Sequence, residues 1–479
     1  MASASAANTA SSALADQQQR SGSSNNGDQA EAEDDEDEAE LDPGATLLDG
    51  LGPTQKYVFA DEWGYTNVGA DLPSGTHPSI FSSLLPPELF AFSPLRAAAS
   101  VAVPLAVMAA GYGWLWYWHS ICPGWQVALC GCLIGTAYAG LFKVAHECAR
   151  LAFVPHAPEL QNALGMLLML PSLYSFPVWR LGTLHHMLHT NMLWKDHWGW
   201  HPLTKLELAM DLLEGRGLRV ACLRAVMASP LKLLASIGHW VRHWEALDLR
   251  RFHPGSYVGV LAGWAAPALF AGLVFPAIVS AGGLSALFTY YLLPWLVFHF
   301  WLSTLSLVAH TAPHVPWRPD DGDYDAGRAV VCGTVTLRLP RPLELLLNEA
   351  NYGLPQAVAP GLPLWGAREG YELLKKRLGP YLTEGGLSLK LLTNHVTKWQ
   401  VYDEETDTYR PFEEVMEELE TDLGQLDSEL GAEMRKALEE AQAGLQAGPA
   451  AAAASASATT ATELQGGGSS SSGPGLAPA

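Results

Sequence analysis

Between polar ends the chain carries four apolar runs, at about residues 97–118, 125–145, 257–281 and 284–309. Each is long enough to cross a bilayer, which takes about 20 apolar residues. The first two are joined by HSICPG, which has no Lys, Arg, Asp or Glu, and the last two by the pair Gly282 and Gly283. Such short, uncharged connections predict two tight membrane hairpins. A fifth apolar run, Ala163 to Pro177, is too short to cross and is expected to lie in the interface or dip into it. Between the hairpins, Lys143 to Arg251 is polar and rich in Lys and Arg, among them Arg180, Lys195, Arg219, Lys232 and Arg250. By the positive-inside bias this segment, the N-terminus and everything after His310 belong on one face. The pattern therefore predicts an all-α membrane protein, with four transmembrane helices in two hairpins under a cytosolic or stromal helical cap.

The flanks read differently. Residues 1–45 are Ala, Ser, Gln, Asn and acid, too poor in large apolar side chains to offset the entropy of ordering, and read as a disordered acidic arm. A membrane domain is expected over 46–412. Within it Leu48 to Arg96 lacks helical period, Glu369 to Leu378 suggests a short mixed-charge helix, and Lys390 to Phe412 suggests an extended segment and turn closing the cap. From Met416, apolar residues recur at Leu419, Leu423, Leu426, Leu430 and Met434, predicting an acidic amphipathic helix over 413–441. Residues 442–479 are low-complexity Ala, Ser, Thr and Gly.

Composition narrows the function classes. Of 479 residues, 49% are hydrophobic and only 16% charged, too apolar for an ordinary soluble enzyme. The net charge of −21 sits largely in the tails, so no basic surface remains for nucleic acid. Six cysteines without CxxC spacing indicate neither a disulfide framework nor a thiolate zinc site.

Candidate chemistry lies in the histidines. The second run ends at His146, the loop carries LHHMLHTNMLWKDHWGWHPL, and the fourth run ends at His310 and His314. The predicted topology delivers all of them to one membrane face, where they could converge on a metal at the mouth of a four-helix domain. His310 and His314 are four apart, the spacing that puts two imidazoles on one helical face. The bland alternative is histidine at headgroup level on interfacial helices. The pairs His197/His201 and His239/His243, and His253, read as such polar faces.

HECAR at His146 to Arg150, PVWRLGTLHHMLHTNML at Pro177 to Leu193, WHP at Trp200 to Pro202, HFWLSTLSLVAHTAPHVPW at His299 to Trp317 and KWQVYDEETDTYRPF at Lys398 to Phe412 together resemble the membrane fatty acyl desaturases. The likeness is to the plastid omega-six (delta-twelve) acyl-lipid type and covers about residues 55–415. It implies insertion of a cis double bond into an acyl chain, with O2 and with electrons from ferredoxin or cytochrome b5. It also implies two irons held by histidines from three boxes, and a narrow acyl tunnel running from the cap toward the bilayer. The compartment implied is a plastid membrane, with the endoplasmic reticulum as alternative; homo- or hetero-oligomerisation stays open.

Carried over residue by residue, the boxes are incomplete. In the first, His146 and Glu147 stand but the second ligand position is Arg150, a guanidinium with no lone pair to donate. The second reads Thr183, His186 and Met187, and the third Gly353, Gln356 and Ala357. The preceding NEAN, Asn348 to Asn351, offers only amide and carboxylate oxygens. The candidate metal ligands are therefore His146, His186, His310 and His314, with His185 and His189 as substitutes at helical spacing. Three functions follow: an acyl-lipid desaturase with an atypical iron site; a catalytically impaired, desaturase-like protein that binds acyl lipids or partners an active homologue; and a mononuclear metal- or ion-handling protein.

Overall fold

A computed structural model describes residues 60–425 apart from 74, 119–120, 197–200, 246–247, 316 and 320–323, together with 438–439. The acidic arm, the low-complexity tail, His197, Leu426, Leu430 and Met434 lie outside the described residues. The chain divides into two units, residues 1–412 and 413–479. The second is represented mainly by the helix Phe412–Gln425, which has Glu413 and Glu414 in its first turn, where the helix dipole favours acid.

The first unit is mostly helical, with three to four candidate membrane spans. α1 (Pro94–Trp118) and α2 (Gly124–Ala149) flank the uncharged connection. α3 (Pro158–Met169) runs into a short 3-10 turn and is followed by α4 (Phe176–Leu188), the two segments bent by 101°. The fifth apolar run, Ala163 to Pro177, spans the bend between them. α5 (Ser236–Glu245) precedes the longest apolar stretch, Pro254–His310, which contains α6 (Tyr257–Leu287) and α7 (Leu293–His310). α6 is interrupted at Gly282 and Gly283, where Gly283 takes φ +69°, a conformation that needs no Cβ. The Phe275 and Tyr291 rings then meet at 4.5 Å. Sixteen residues of continuous helix would separate them by about 24 Å, so the chain reverses at the glycine pair.

Helices in lipid gain little from apolar contact alone and pack closely through small residues. At Gly135 a Cβ would lie 2.5 Å from the Pro294 carbonyl oxygen and 2.6 Å from Val297 Cβ. α2 and α7 thus approach backbone to side chain, and Trp301 Nε1 donates to Thr136 Oγ1 at 2.8 Å across the contact.

The cap is not the purely helical layer that the sequence pattern predicts. It holds β1 (Tyr65–Asn67), β2 (Thr336–Arg338) and β3 (Glu384–Gly386) in the order β1-β3-β2, with β1 antiparallel and β2 parallel to β3. A separate hairpin pairs β4 (Val401–Asp403) with β5 (Thr408–Arg410). Residues 401–410 are thus extended with a turn, but the preceding residues form α8 (Leu389–Thr397). Ser388 caps it by accepting from Leu391 N, and Leu391, Asn394 and His395 form its buried side. The cap core stacks Trp63 on His314 and Tyr65 on Trp399, with ring centroids 5.9 and 5.8 Å apart.

Lys232 is buried in this cap and donates to the carbonyls of His395, at 2.7 Å, and Trp399. Burial pushes its ammonium down from 10.5 to about 7. Between those values the unfolded chain holds a proton that the native state has released, so Lys232 makes stability rise with pH, by about 1.4 kcal/mol per unit. Thermal unfolding in detergent between pH 7.5 and 9.5 should show that rise in the wild type. Lys232→Met should remove it.

Candidate functional site

One cavity of about 280 Å³ lies among α2, α4, α5, α7 and the cap. Its walls are helical stripes. α2 contributes Ala139, Phe142, Lys143 and His146, with Arg150 just beyond its end; α4 contributes Trp179, Gly182, Thr183, His186 and Met187; α7 contributes Phe298, Trp301, Leu302, Leu305, Ala309 and His310. Spacings of three and four residues bring these side chains onto one face of each helix. The cap closes the cavity with Thr334, Leu337, Asn351, Gly353, Gln356 and Ala357. All six substituted box positions, Arg150, Thr183, Met187, Gly353, Gln356 and Ala357, therefore line the same space as His146, His186 and His310.

The other three candidate ligands do not line it. α7 ends at His310, and Thr311 is extended at φ −122°, ψ 100°. Pro313 disfavours helix at the residue before it, so the four-residue spacing to His314 is not a helical one. His314 turns into the cap core, 4% exposed, with Nε2 2.8 Å from Thr383 Oγ1. His185 is one residue, or about 100°, around α4 from His186. His189 lies at the C-terminal end of α4, stacks on His185 at 4.4 Å and donates Nδ1–H to the His185 carbonyl at 3.0 Å. The expected convergence of His310 with His314, and the substitution by His185 and His189, are corrected accordingly.

The three cavity histidines differ in what their second nitrogen does. His186 Nδ1 lies 2.8 Å from the buried carboxylate of Asp196, and His310 Nδ1 donates to the Gly333 carbonyl at 3.3 Å. Both arrangements fix the ring, and whenever the ring is neutral they leave Nε2 as the acceptor, the way metal-ligating histidines are oriented; the Asp196 carboxylate also favours the protonated form of His186. Their rings stand edge to face, 5.1 Å apart. His146 is set the other way. Trp179 Nε1, which can only donate, donates to His146 Nδ1 at 3.3 Å, so the neutral ring carries its proton on Nε2. Burial alone would raise the Asp196 carboxyl, but the charge and hydrogen bond of His186 outweigh it and hold Asp196 below the ordinary carboxylate range.

At the end of α2 lies an ion network. Glu147 is fully buried. Its Oε1 accepts from Lys143 Nζ at 2.7 Å, Arg150 Nη1 at 3.0 Å and Gln356 Nε2 at 3.1 Å, and its Oε2 accepts from Gln356 Nε2 at 3.0 Å. Gln356 Oε1 accepts from Lys143 at 2.6 Å, and Arg150 Nη2 reaches the Pro360 carbonyl at 2.5 Å. Lys143 was legible only as part of a basic segment; the signal missed was an ionisable residue four positions before Glu147 inside an apolar run. His239 and His243 also line the cavity. Tyr174 OH lies 3.2 Å from His239 Nδ1, and Ser175 N donates to His243 Nε2 at 2.9 Å. Of the other histidines named in the sequence, His253 caps the turn Pro254–Ser256, and His201 stands edge-on to Trp317.

These residues do not fit a pair of irons. Asn351 Oδ1 and Thr334 Oγ1 are buried without a partner and could join His186 and His310 around one small polar guest. A second centre would fall to Gly353 and Ala357, which have no side-chain donor atoms, and to Arg150 and Gln356, which are already engaged. Among the described residues, no three His, Cys, Asp or Glu side chains gather in a metal-binding arrangement.

The scaffold has clear relatives. The family model for fatty acid desaturases matches residues 123–352. The chain is 29% identical over 360 residues to the chloroplastic omega-6 fatty acid desaturase of Brassica napus, covering 75% of this chain and 78% of that one. It is 30% identical over 347 residues to the Glycine max protein of the same name, covering 72% and 78%. With the sn-1 oleoyl-lipid 12-desaturase of Synechocystis sp. it shares 30% over 331 residues, or 68% and 89% of the two chains. With apolar helices long enough to span a membrane and this extent of likeness, the chain belongs to the fatty acid desaturase family.

Proposed function

We propose that this protein takes the acyl chain of a plastid membrane lipid into the cavity, from four spans arranged as two hairpins with the cap on the stromal side. The observation that carries the reading is the cavity wall: Phe142, Phe298, Trp301, Leu302, Leu305 and Leu337 supply apolar surface to the same space that His186 and His310 line. Each methylene buried there contributes about 0.8 kcal/mol. The relatives named as chloroplastic omega-6 and oleoyl-lipid desaturases support both the acyl-lipid class and the plastid setting.

The test is photocrosslinking with a lipid carrying a diazirine along its acyl chain, in membranes containing the full chain. Label is expected on α7. Leu305→Trp, which fills the cavity, should cut labelling at least about tenfold, the equivalent of about 1.4 kcal/mol. Equal labelling of the variant would remove the reading.

A second reading, insertion of a cis double bond by this chain itself, is favoured by the way Asp196 and the Gly333 carbonyl engage Nδ1 of His186 and His310. Fatty acids of a desaturase-deficient host expressing the protein would then gain cis double bonds that His310→Ala abolishes.

A further inference from the structure

We infer that two side-chain cations, Lys143 and Arg150, occupy the role that a metal pair has in the family's histidine boxes, and that the cavity holds its shape without iron. The inference does not rest on acyl binding. It rests on a network that engages every side-chain polar atom of Glu147 and Gln356, while Arg150 keeps its Nε buried without a partner. The box-one carboxylate, Glu147, has both oxygens engaged by three side chains, two of them cationic. Gln356, at a box-three position, has its amide oxygen bound by Lys143, while its amide nitrogen donates to Glu147 and to the Leu362 carbonyl at 3.3 Å. Arg150 spans from Glu147 to the backbone carbonyls of Pro360, at 2.5 Å, and Gln356, at 3.4 Å.

These bonds tie the end of α2 to the cap segment 354–360, the boxes that a shared metal would otherwise tie together. The charges agree with that role. Lys143 and Arg150 bring two positive charges to one buried carboxylate, and their side chains are only 11% and 3% exposed. A divalent ion entering the same space would meet that excess at short range, in a medium that screens it poorly. His146 adds no ligand through Nε2, because Trp179 holds its ring in the tautomer that carries the proton there.

The experiment measures iron in the full-length protein, purified from iron-replete cells and again after anaerobic incubation with ferrous iron, and follows thermal unfolding with and without a strong chelator. Iron well below one per chain is expected, with the same melting temperature in chelator. Iron at or above about one per chain, or a chelator-induced fall of several degrees, would overturn the inference. The cross-link itself is tested with Arg150→Ala and with the charge-keeping Arg150→Lys. Arg150→Ala should lower the melting temperature by at least about 4 °C, and Arg150→Lys, which loses the reach to Pro360, by less. If Arg150→Ala does not accumulate, Arg150→Lys still decides: unchanged melting overturns the cross-link, and a fall supports it. Failure here leaves the crosslinking result at Leu305 untouched, and failure there leaves the iron content untouched.

Discussion

Glu147→Ala is expected to destabilise the protein by about 3–5 kcal/mol, the cost of stripping one partner from a buried ion pair. The wild-type carboxylate is fully buried between Lys143 and Arg150. Removing it leaves two cations in the same pocket with only the Gln356 amide oxygen and backbone carbonyls as acceptors. Against a total stability of about 5–15 kcal/mol this loss is severe. The charge account makes a sharper statement through a double-mutant cycle. Glu147→Gln keeps the shape but removes the charge, and Lys143→Met removes one cation together with its hydrogen bonds. Each alone should destabilise, and the pair should cost less than the sum, because removing both partners of a buried ion pair is often close to neutral. Thermal unfolding of the four proteins in one detergent reads the coupling. Strictly additive losses would mean that Lys143 and Glu147 act independently, against their 2.7 Å contact.

Much of this architecture is legible in the chain. The candidate spans follow from apolar runs of sufficient length, and the reversal between α6 and α7 from Gly282 and Gly283, where Gly283 takes a positive φ within the apolar stretch. The cavity wall also follows from helical spacing, since Ala139, Phe142, Lys143, His146 and Arg150 recur at three and four residues. Reading failed where a local rule outran the element it belongs to. The four-residue spacing of His310 and His314 has meaning only on a helix, and the helix stops between them. His239 and His243 looked like a polar surface because amphipathic spacing does not say which side meets the protein. They face the cavity because α5 packs on α7 in the fold. The strands β1, β2 and β3 escaped because their pairing joins residues more than 45 positions apart, Thr336 with Glu384 and Tyr65 with Gly385, and no period of two builds up within three residues.

The contact between the membrane helices and the cap depends on a residue with no chemistry at all. A Cβ at Gly140 would lie 2.0 Å from the Leu346 carbonyl oxygen, 3.1 Å from Leu346 C and 3.4 Å from Leu347 Cα. All three are backbone atoms, so no rotamer change relieves the overlap. Asn348 Nδ2 also donates to the Gly140 carbonyl at 2.9 Å and to that of Ser100 at 2.8 Å, from a backbone held at φ +53°. Gly140→Ala should therefore cost about 1–3 kcal/mol, the range for overpacking, with the upper end expected because the obstacle is main chain. Gly113 in α1, where an added Cβ meets nothing within 4 Å, provides the opposite sign. There Ala should stabilise by about 0.5–1 kcal/mol through helix propensity alone. Lys143 and His146 lie one and two turns further along α2 from Gly140, so a cap pushed off by the added methyl group also separates Glu147 from Gln356. Gly140→Ala should then lose acyl-lipid crosslinking along with melting temperature, while Gly113→Ala keeps both. If Gly140→Ala melts like wild type, the close approach of α2 to the cap would have to be given up.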